Sequence, residues 1–371
     1  MNARLGYLTY SLNRSPSGIG RYSRELLDAV RRTGVELTVL NAGARGVREN
    51  AVDLVGAGLL PGLLTLGQFE IAWAARRCGL ELIHDPTGSL PLLLVHARRI
   101  VTIHDAIPYT LAATSTTFDW LIYHIWLPLA VRYVDAVITD SQQSKLDIIR
   151  NLPVITEKVT IISIAANRSY QPLSREDVQV TLARYGLDFP YLLYVGSIEP
   201  RKNLIRLLQA YAMLHAWSPR WHLVIVGARN FWKSSPVAEA VEKQNLKEWV
   251  HFTGYIPETD LPALYNGADL FVFPSLYEGF GLPVLEAMAC GTPVVTSRTS
   301  SLPEVAGDAA LLVDPYNVDE IAAALQRVLS DPGFAGELRA KGLARAAEFS
   351  WERTARETIA VYERVLGKSI L

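Results

Sequence analysis

Two cysteines, Cys78 and Cys290, are all the chain carries, and their spacing pairs them with nothing. That excludes a disulfide-stapled scaffold and a thiolate zinc site. Neither sign of charge is in excess, since 36 basic residues against 37 acidic ones leave a net charge of −1. A protein whose main partner is nucleic acid needs a basic field that such a balance does not supply. No uninterrupted apolar run reaches membrane-spanning length. The opening Met1-Asn2-Ala3-Arg4 runs straight into a strand-like segment and not into a secretory apolar stretch with a cleavage site. These absences leave a soluble cytoplasmic protein as the expectation.

What is present is ample apolar material, 50% of 371 residues, which suits two domains better than one. Short β-rich runs alternate with helical patterns throughout, the mark of α/β units built on parallel sheets. Strands are expected at 4–9, 35–40, 80–84, 100–104, 136–139 and 159–164 in the first half. In the second half they are expected at 191–196, 222–227, 250–253, 270–273, 294–296 and 310–313. Two similar sets imply two Rossmann-like domains, with the boundary near Pro172. The segment from Trp351 has Ala355, Ile359, Tyr362 and Leu366 at helical spacing, an amphipathic helix. Expected domains are therefore 1–172, 173–350 and a closing helical segment, 351–371.

In open α/β sheets, ligands bind outside the carboxyl ends of the strands, so the residues after each strand carry the functional signal. After the strand at 270–273 comes a loop holding Glu278, Gly279, Phe280 and Gly281, and then a helix with Pro283 in its first turn. The amides of Phe280, Gly281 and Leu282 crowd a helix N-terminus, a ready anion site. Glu278 and Glu286 flank it; carboxylates there repel phosphate but suit hydroxyls. Phosphate and hydroxyls together point to a sugar nucleotide. After the strand at 191–196, Arg201 and Lys202 precede a helix for which Asn203 is a plausible N-cap. Two cations at that point suit a diphosphate, and solvated surface charges are the plain alternative. In the first half, Ser17-Gly18-Ile19-Gly20-Arg21-Tyr22 precedes an amphipathic helix, and Gly18 and Gly20 could bring amides close to phosphate. His84-Asp85 and His104-Asp105 stand at strand ends, without a third residue spaced to complete a metal site.

The run from Phe273 to Gly291, with its two glutamates separated by seven residues, resembles the signature of the retaining glycosyltransferases of family 4. That resemblance implies the two-domain GT-B fold, with the last helix crossing back to the first domain. It implies that Glu278, with Gly279, Phe280 and Gly281, meets the transferred sugar and that Glu286 meets the ribose. Gly-Ser-Ile-Glu-Pro-Arg-Lys-Asn, ending at Asn203, is similar to the family's diphosphate clamp. Many members have Arg directly after the glycine where this chain has Ser197, so Arg201 and Lys202 must supply most of the positive charge. Gly281 and Leu282, and Gly18 and Gly20 from the opposite wall, complete the diphosphate contacts. Thr102 to Pro108 is similar to the acceptor-side loop in which a histidine, here His104, contacts the donor sugar near the anomeric carbon; Asp105 and His84 would support it.

The implied activity is retaining transfer of a sugar, with no cofactor and no metal, from a nucleotide-diphosphate donor to a glycan or lipid-linked acceptor. The same motifs look most like bacterial mannosyltransferases, which favours GDP-mannose over a UDP-sugar. The run 59–66, followed by Arg76 and Arg77, would suit contact with a membrane surface, or else a buried helix. Two rival functions are a nucleotide-sugar epimerase on the same fold and a non-catalytic nucleotide-sugar-binding protein.

Overall fold

The computed structural model describes residues 3–9, 18–42, 51–54, 66–88, 94–110, 120–227 and 236–370. The expected loop residue Ser17 and residues 59–65 of the apolar run lie outside them. The chain divides into two compact units, Met1–Ile164 with Ser350–Leu371, and Ala165–Phe349.

The sheet of the first unit contains β1 (Leu5–Leu8), β2 (Leu37–Ala42), β3 (Ala51–Leu54), β4 (Leu82–Asp85), β5 (Arg98–Thr102), β6 (Ala136–Thr139) and β7 (Val159–Ile161). Its order is β3-β2-β1-β4-β5-β6-β7, every pairing parallel. The second unit holds β8 (Tyr191–Val195), β9 (His222–Val226), β10 (Val250–Gly254), β11 (Leu270–Phe273), β12 (Val294–Ser297) and β13 (Leu311–Val313). These lie in the order β10-β9-β8-β11-β12-β13, again all parallel. Central parallel strands are covered on both faces, which is why β1, β11 and β12 are buried at every position.

Two expectations change. The boundary falls after Ile164, earlier than Pro172. The reason is that the intervening residues bind the second unit: Tyr170 packs edge-on to Tyr265, Asn266 Nδ2 donates to the Gln171 carbonyl at 2.9 Å, and the Leu173 amide donates to Asn266 Oδ1 at 2.9 Å. The strand β3 was not expected from the sequence. It is a four-residue edge strand, Ala-Val-Asp-Leu, buried only at Leu54, so it lacks the apolar density that marks its neighbours.

The helix Trp351–Leu366 belongs to the first unit. Ser350 caps it by accepting from the Arg353 amide at 3.2 Å, and Gly367 ends it in the left-handed region at φ 67°. Trp351, Ala355, Ile359 and Tyr362 are buried along one face, as their spacing requires. The ring of Trp351 packs against Tyr22 of the helix Gly18–Arg32 at 6.0 Å, and Thr354 Oγ1 donates to the Ser163 carbonyl at 2.8 Å.

Candidate active site

In the second unit the strand order reverses between β8 and β11. Loops leave those two strands in opposite directions and open a crevice at their carboxyl ends, where ligands of open parallel sheets bind. The segments after β8 and β11 line it, joined by the segment after β12.

Arg201 and Lys202 occupy the short helical turn Pro200–Lys202 directly after β8. Lys202 Nζ donates to Glu278 Oε1 at 2.6 Å, and Arg201 Nη1 donates to Glu278 Oε2 at 3.1 Å. Arg201 Nε donates to Glu199 Oε2 at 2.8 Å, and Ser275 Oγ donates to Glu278 Oε1 at 2.6 Å. The sequence placed two open cations here; the structure pairs both with carboxylates. Lys202 is buried, with Nζ 4.8 Å from the centre of the Phe273 ring. Burial pulls its ammonium below the ordinary lysine range, against the pull of Glu278 and helped by Arg201. Burial acts on Arg201 in the same sense, but Glu278 and Glu199 outweigh it and raise the guanidinium further.

Asn203 is not the side-chain cap its position suggests. It takes the left-handed conformation, φ 62°, and Nδ2 donates to the carbonyls of Pro274 at 3.0 Å and Pro315 at 2.6 Å. Asparagine tolerates that region better than most side chains. Its amide thereby ties the Arg201–Lys202 turn to the end of β11.

After β11, the loop carrying Glu278, Gly279 and Phe280 reaches Gly281, which starts the helix Leu282–Ala289 with φ 109°. A Cβ on Gly281 would lie 2.6 Å from Leu302 Cδ2, so both conformation and packing require glycine. The amides of Gly281 and Leu282 stand at the positive end of this helix. Two serines hold the loop. Ser300 Oγ accepts from the Glu278 amide at 2.8 Å and donates to the Glu278 carbonyl at 2.5 Å. Ser301 Oγ donates to the carbonyls of Glu278 at 2.9 Å and Phe280 at 2.8 Å. Sequence reasoning missed both; the signal was the hydroxyl-rich Thr299-Ser300-Ser301, one residue beyond β12. Glu286 lies in the second turn of the helix and is buried, with Oε2 accepting from the Tyr265 hydroxyl at 3.0 Å.

In the first unit the order reverses between β1 and β4. Gly18 and Gly20 lie in the opening turn of the helix Gly18–Arg32 and not in a loop. A Cβ on Gly18 would meet nothing within 4 Å among the described residues. His104 follows β5, with Nδ1 2.6 Å from Asp140 Oδ2, Nε2 3.0 Å from the Pro86 carbonyl, and the Tyr22 ring set edge-on at 4.6 Å. Asp105 Oδ1 accepts from the Ile107 amide at 3.0 Å. His84 is fully buried, with Nδ1 2.7 Å from the Tyr362 hydroxyl and Nε2 2.9 Å from Thr102 Oγ1. Burial, aided by His104, lowers its pKa to about 3, so it is a neutral strut tying the helix Trp351–Leu366 to the sheet.

The family described as Glycosyltransferase Family 4 matches residues 16–170, and that described as Glycosyl transferases group 1 matches residues 184–347. O-antigen chain mannosyltransferase B of Escherichia coli is 35% identical over 94% of this chain and 96% of its own length. The chain is a family 4, group 1 glycosyltransferase.

The fold of this glycosyltransferase agrees. Sucrose-phosphate synthase from Thermosynechococcus elongatus superposes with a TM-score of 0.80 at 24% identity, over 98% of this chain and 99% of the other. Anabaena Alr3699/HepE in complex with UDP-glucose gives 0.78 at 19% identity, over 98% and 99% of the two chains. The glycosyltransferase is thus a hexosyltransferase with two parallel-sheet units of the GT-B class, which sets aside the epimerase and the non-catalytic binder.

Proposed function

We propose that the enzyme transfers mannose from GDP-mannose, with retention of anomeric configuration and without a divalent metal, to a glycan or lipid-linked saccharide. The cluster of Arg201, Lys202 and Glu278 at the β8–β11 crossing carries this reading. An arriving diphosphate draws Arg201 and Lys202 toward itself and frees Glu278 for the hydroxyls of the sugar. The two cations, with the Gly281 and Leu282 amides, then stabilise charge growing on the leaving diphosphate. Glu286, steadied by Tyr265, takes the ribose hydroxyls. Glu278 is engaged by Lys202, Arg201 and Ser275, which suits hydrogen bonding better than nucleophilic attack. A same-face route, in which the departing phosphate helps deprotonate the acceptor hydroxyl, therefore fits better than double displacement.

Mannose is favoured because a relative 35% identical over 94% of this chain is an O-antigen chain mannosyltransferase. A UDP-sugar is the second reading, since a structural neighbour holds UDP-glucose. A thermal-shift panel of GDP, UDP, ADP and their sugar conjugates separates the two, and the strongest stabilisation should come from the GDP pair. Product NMR and activity after exhaustive chelation test the rest. An inverted linkage, or loss of activity rescued by manganese, contradicts the proposal.

We also place the enzyme in the cytoplasm at the membrane face. Leu66, Phe69 and Trp73 are exposed on the helix Leu66–Arg77, with the Arg77 guanidinium 5.0 Å over the Trp73 ring. An apolar stripe beside basic residues suits an anionic lipid surface. No helix among the described residues is long and apolar enough to cross a membrane. Failure of the wild-type enzyme to cosediment with phosphatidylglycerol vesicles would remove this placement, and cosedimentation that survives Phe69→Ala with Trp73→Ala would remove the stripe as its anchor.

A further inference from the structure

Both ring nitrogens of His104 face acceptors. Nδ1 is 2.6 Å from Asp140 Oδ2, and Nε2 is 3.0 Å from the Pro86 carbonyl oxygen. A neutral imidazole carries one N–H and one lone pair, so it can satisfy only one of them. With the proton on Nε2, the Nδ1 lone pair would point at a carboxylate; with the proton on Nδ1, the Nε2 lone pair would point at a carbonyl. Only the imidazolium donates to both, unless Asp140 itself is held protonated. Asp140 is almost fully buried, and among the described residues its Oδ1 accepts no hydrogen bond, so the carboxylate is spent on His104. A buried carboxylate requires a close positive partner, and His104 is at hand to provide it.

The surroundings lock this arrangement. Ser144 Oγ donates to the His104 carbonyl at 2.9 Å, and Ser144 itself lies in the helix Gln142–Asn151, capped by Ser141. Tyr22, from the helix Gly18–Arg32, presses its ring edge against the imidazole and keeps its hydroxyl 3.0 Å from Thr102 Oγ1. The titratable groups acting on the ring are Asp140 after β6, Asp105 on its own loop, and neutral His84 on β4. Burial alone would depress the His104 pKa; the Asp140 charge and hydrogen bond, the Pro86 carbonyl and the Asp105 charge overcome it and raise the value. The side chain is still 14% exposed, so one edge can meet a ligand.

We propose that Asp140 is a positioning residue for sugar transfer: it fixes His104 as an imidazolium, which serves the reaction as a hydrogen-bond donor and cannot act as its base. This rests on the transfer reading only for the role, since the charge state is a property of the free protein. An imidazolium has no lone pair with which to take the acceptor's proton. It can offer its Nε2–H, now resting on the Pro86 carbonyl, to a hydroxyl or to an anionic oxygen of the substrate.

The test has two arms on the full chain. In protein labelled with ¹⁵N-histidine, long-range ¹H–¹⁵N correlation at pH 7.5 should show both His104 nitrogens protonated, the signal being assigned by its loss in His104→Gln. In Asp140→Asn the same ring should be neutral at that pH. In the transfer assay, kcat of Asp140→Asn should fall by about tenfold to a hundredfold, the scale of one charged hydrogen bond. The donor KM should hardly move, and Asp140→Glu should recover part of the rate. If Asp140→Asn does not fold, the wild-type spectrum and Asp140→Glu carry the test. A lone pair on either nitrogen of wild-type His104 at pH 7.5, or full kcat in Asp140→Asn, overturns the proposal. Absence of transfer from every donor would sink the transfer reading while the spectrum still decides the charge state.

Discussion

Lys202 Nζ and Glu278 Oε1 stand 2.6 Å apart, although one follows β8 and the other β11. The ion pair spans the point where the sheet reverses direction and sets balanced charge in the crevice. Under the proposed function, binding a diphosphate there exchanges one anion for another and does not neutralise open cations. Arg201→Ala should weaken GDP binding by about 1.5–3 kcal/mol, the range of a charged hydrogen bond. Lys202→Ala should do the same and also lower thermal stability, because Glu278 loses a buried partner. Normal GDP affinity by calorimetry in both variants would remove the phosphate assignment.

The exchange separates the two glutamates. Glu278→Gln leaves Arg201 and Lys202 with a neutral partner, so free GDP should bind as well as before or more tightly, while turnover falls. Glu286→Gln should weaken free GDP and the intact donor alike, since the proposed function puts it at the ribose. Matching losses of GDP affinity in the two variants would collapse the distinction.

Buried His84 and partly buried His104 shift stability with pH in opposite senses. The folded-state pKa of His84 is lowered to about 3. Above its unfolded value, about 6.5, both states are neutral and its contribution is fully present. As pH falls from about 6.5 toward 3, the unfolded chain takes a proton the native one refuses, which costs about 1.4 kcal/mol per pH unit. His104 is raised, so its contribution is complete below about 6.5 and is lost as pH climbs through its folded value. Melting temperatures of wild type and His84→Gln from pH 7.5 to 5 should show a lower but flatter curve for the variant. Parallel curves would assign the acid sensitivity elsewhere.

The serine clamp on the Glu278 loop yields to a paired substitution. Ser300 sits at φ 60°, so Ser300→Gly keeps a comfortable backbone while losing the hydroxyl that bonds both the amide and the carbonyl of Glu278. Stability should drop by about 1 kcal/mol per lost bond. The rate should drop by more than the melting temperature suggests, because Glu278 loses its fixed position. A rate unchanged in both Ser300→Gly and Ser301→Ala would make the clamp purely structural.

Much of this was legible in the sequence because buried parallel strands are written as dense apolar runs. Leu270-Phe271-Val272-Phe273 and Tyr191-Leu192-Leu193-Tyr194 announce themselves, and the rule of strand ends then leads to Arg201, Lys202 and Glu278. Sequence reasoning found the members of the cluster but not their pairing, since a contact between residues 201 and 278 depends on strand order, which no local pattern encodes. It also read Asn203 as a cap, because the residue type and position fit; the left-handed backbone turned its side chain to Pro274 and Pro315 instead. Asp140 carried no signal at all. It is one acid after one strand, and only the fold brings it to His104.

The hydrogen bond between His84 and Tyr362 joins residues 278 positions apart and places a late helix in the unit that is made first. On the ribosome, residues 165–349 form a continuous stretch that can complete its sheet before the helix Trp351–Leu366 exists. The earlier-made unit must wait with Tyr22 and His84 uncovered, at the entropic cost of closing a loop that contains a whole second unit. Birth order and completion order are thus inverted, and a nascent chain stalled before residue 351 would expose its N-terminal half to aggregation and not its C-terminal one.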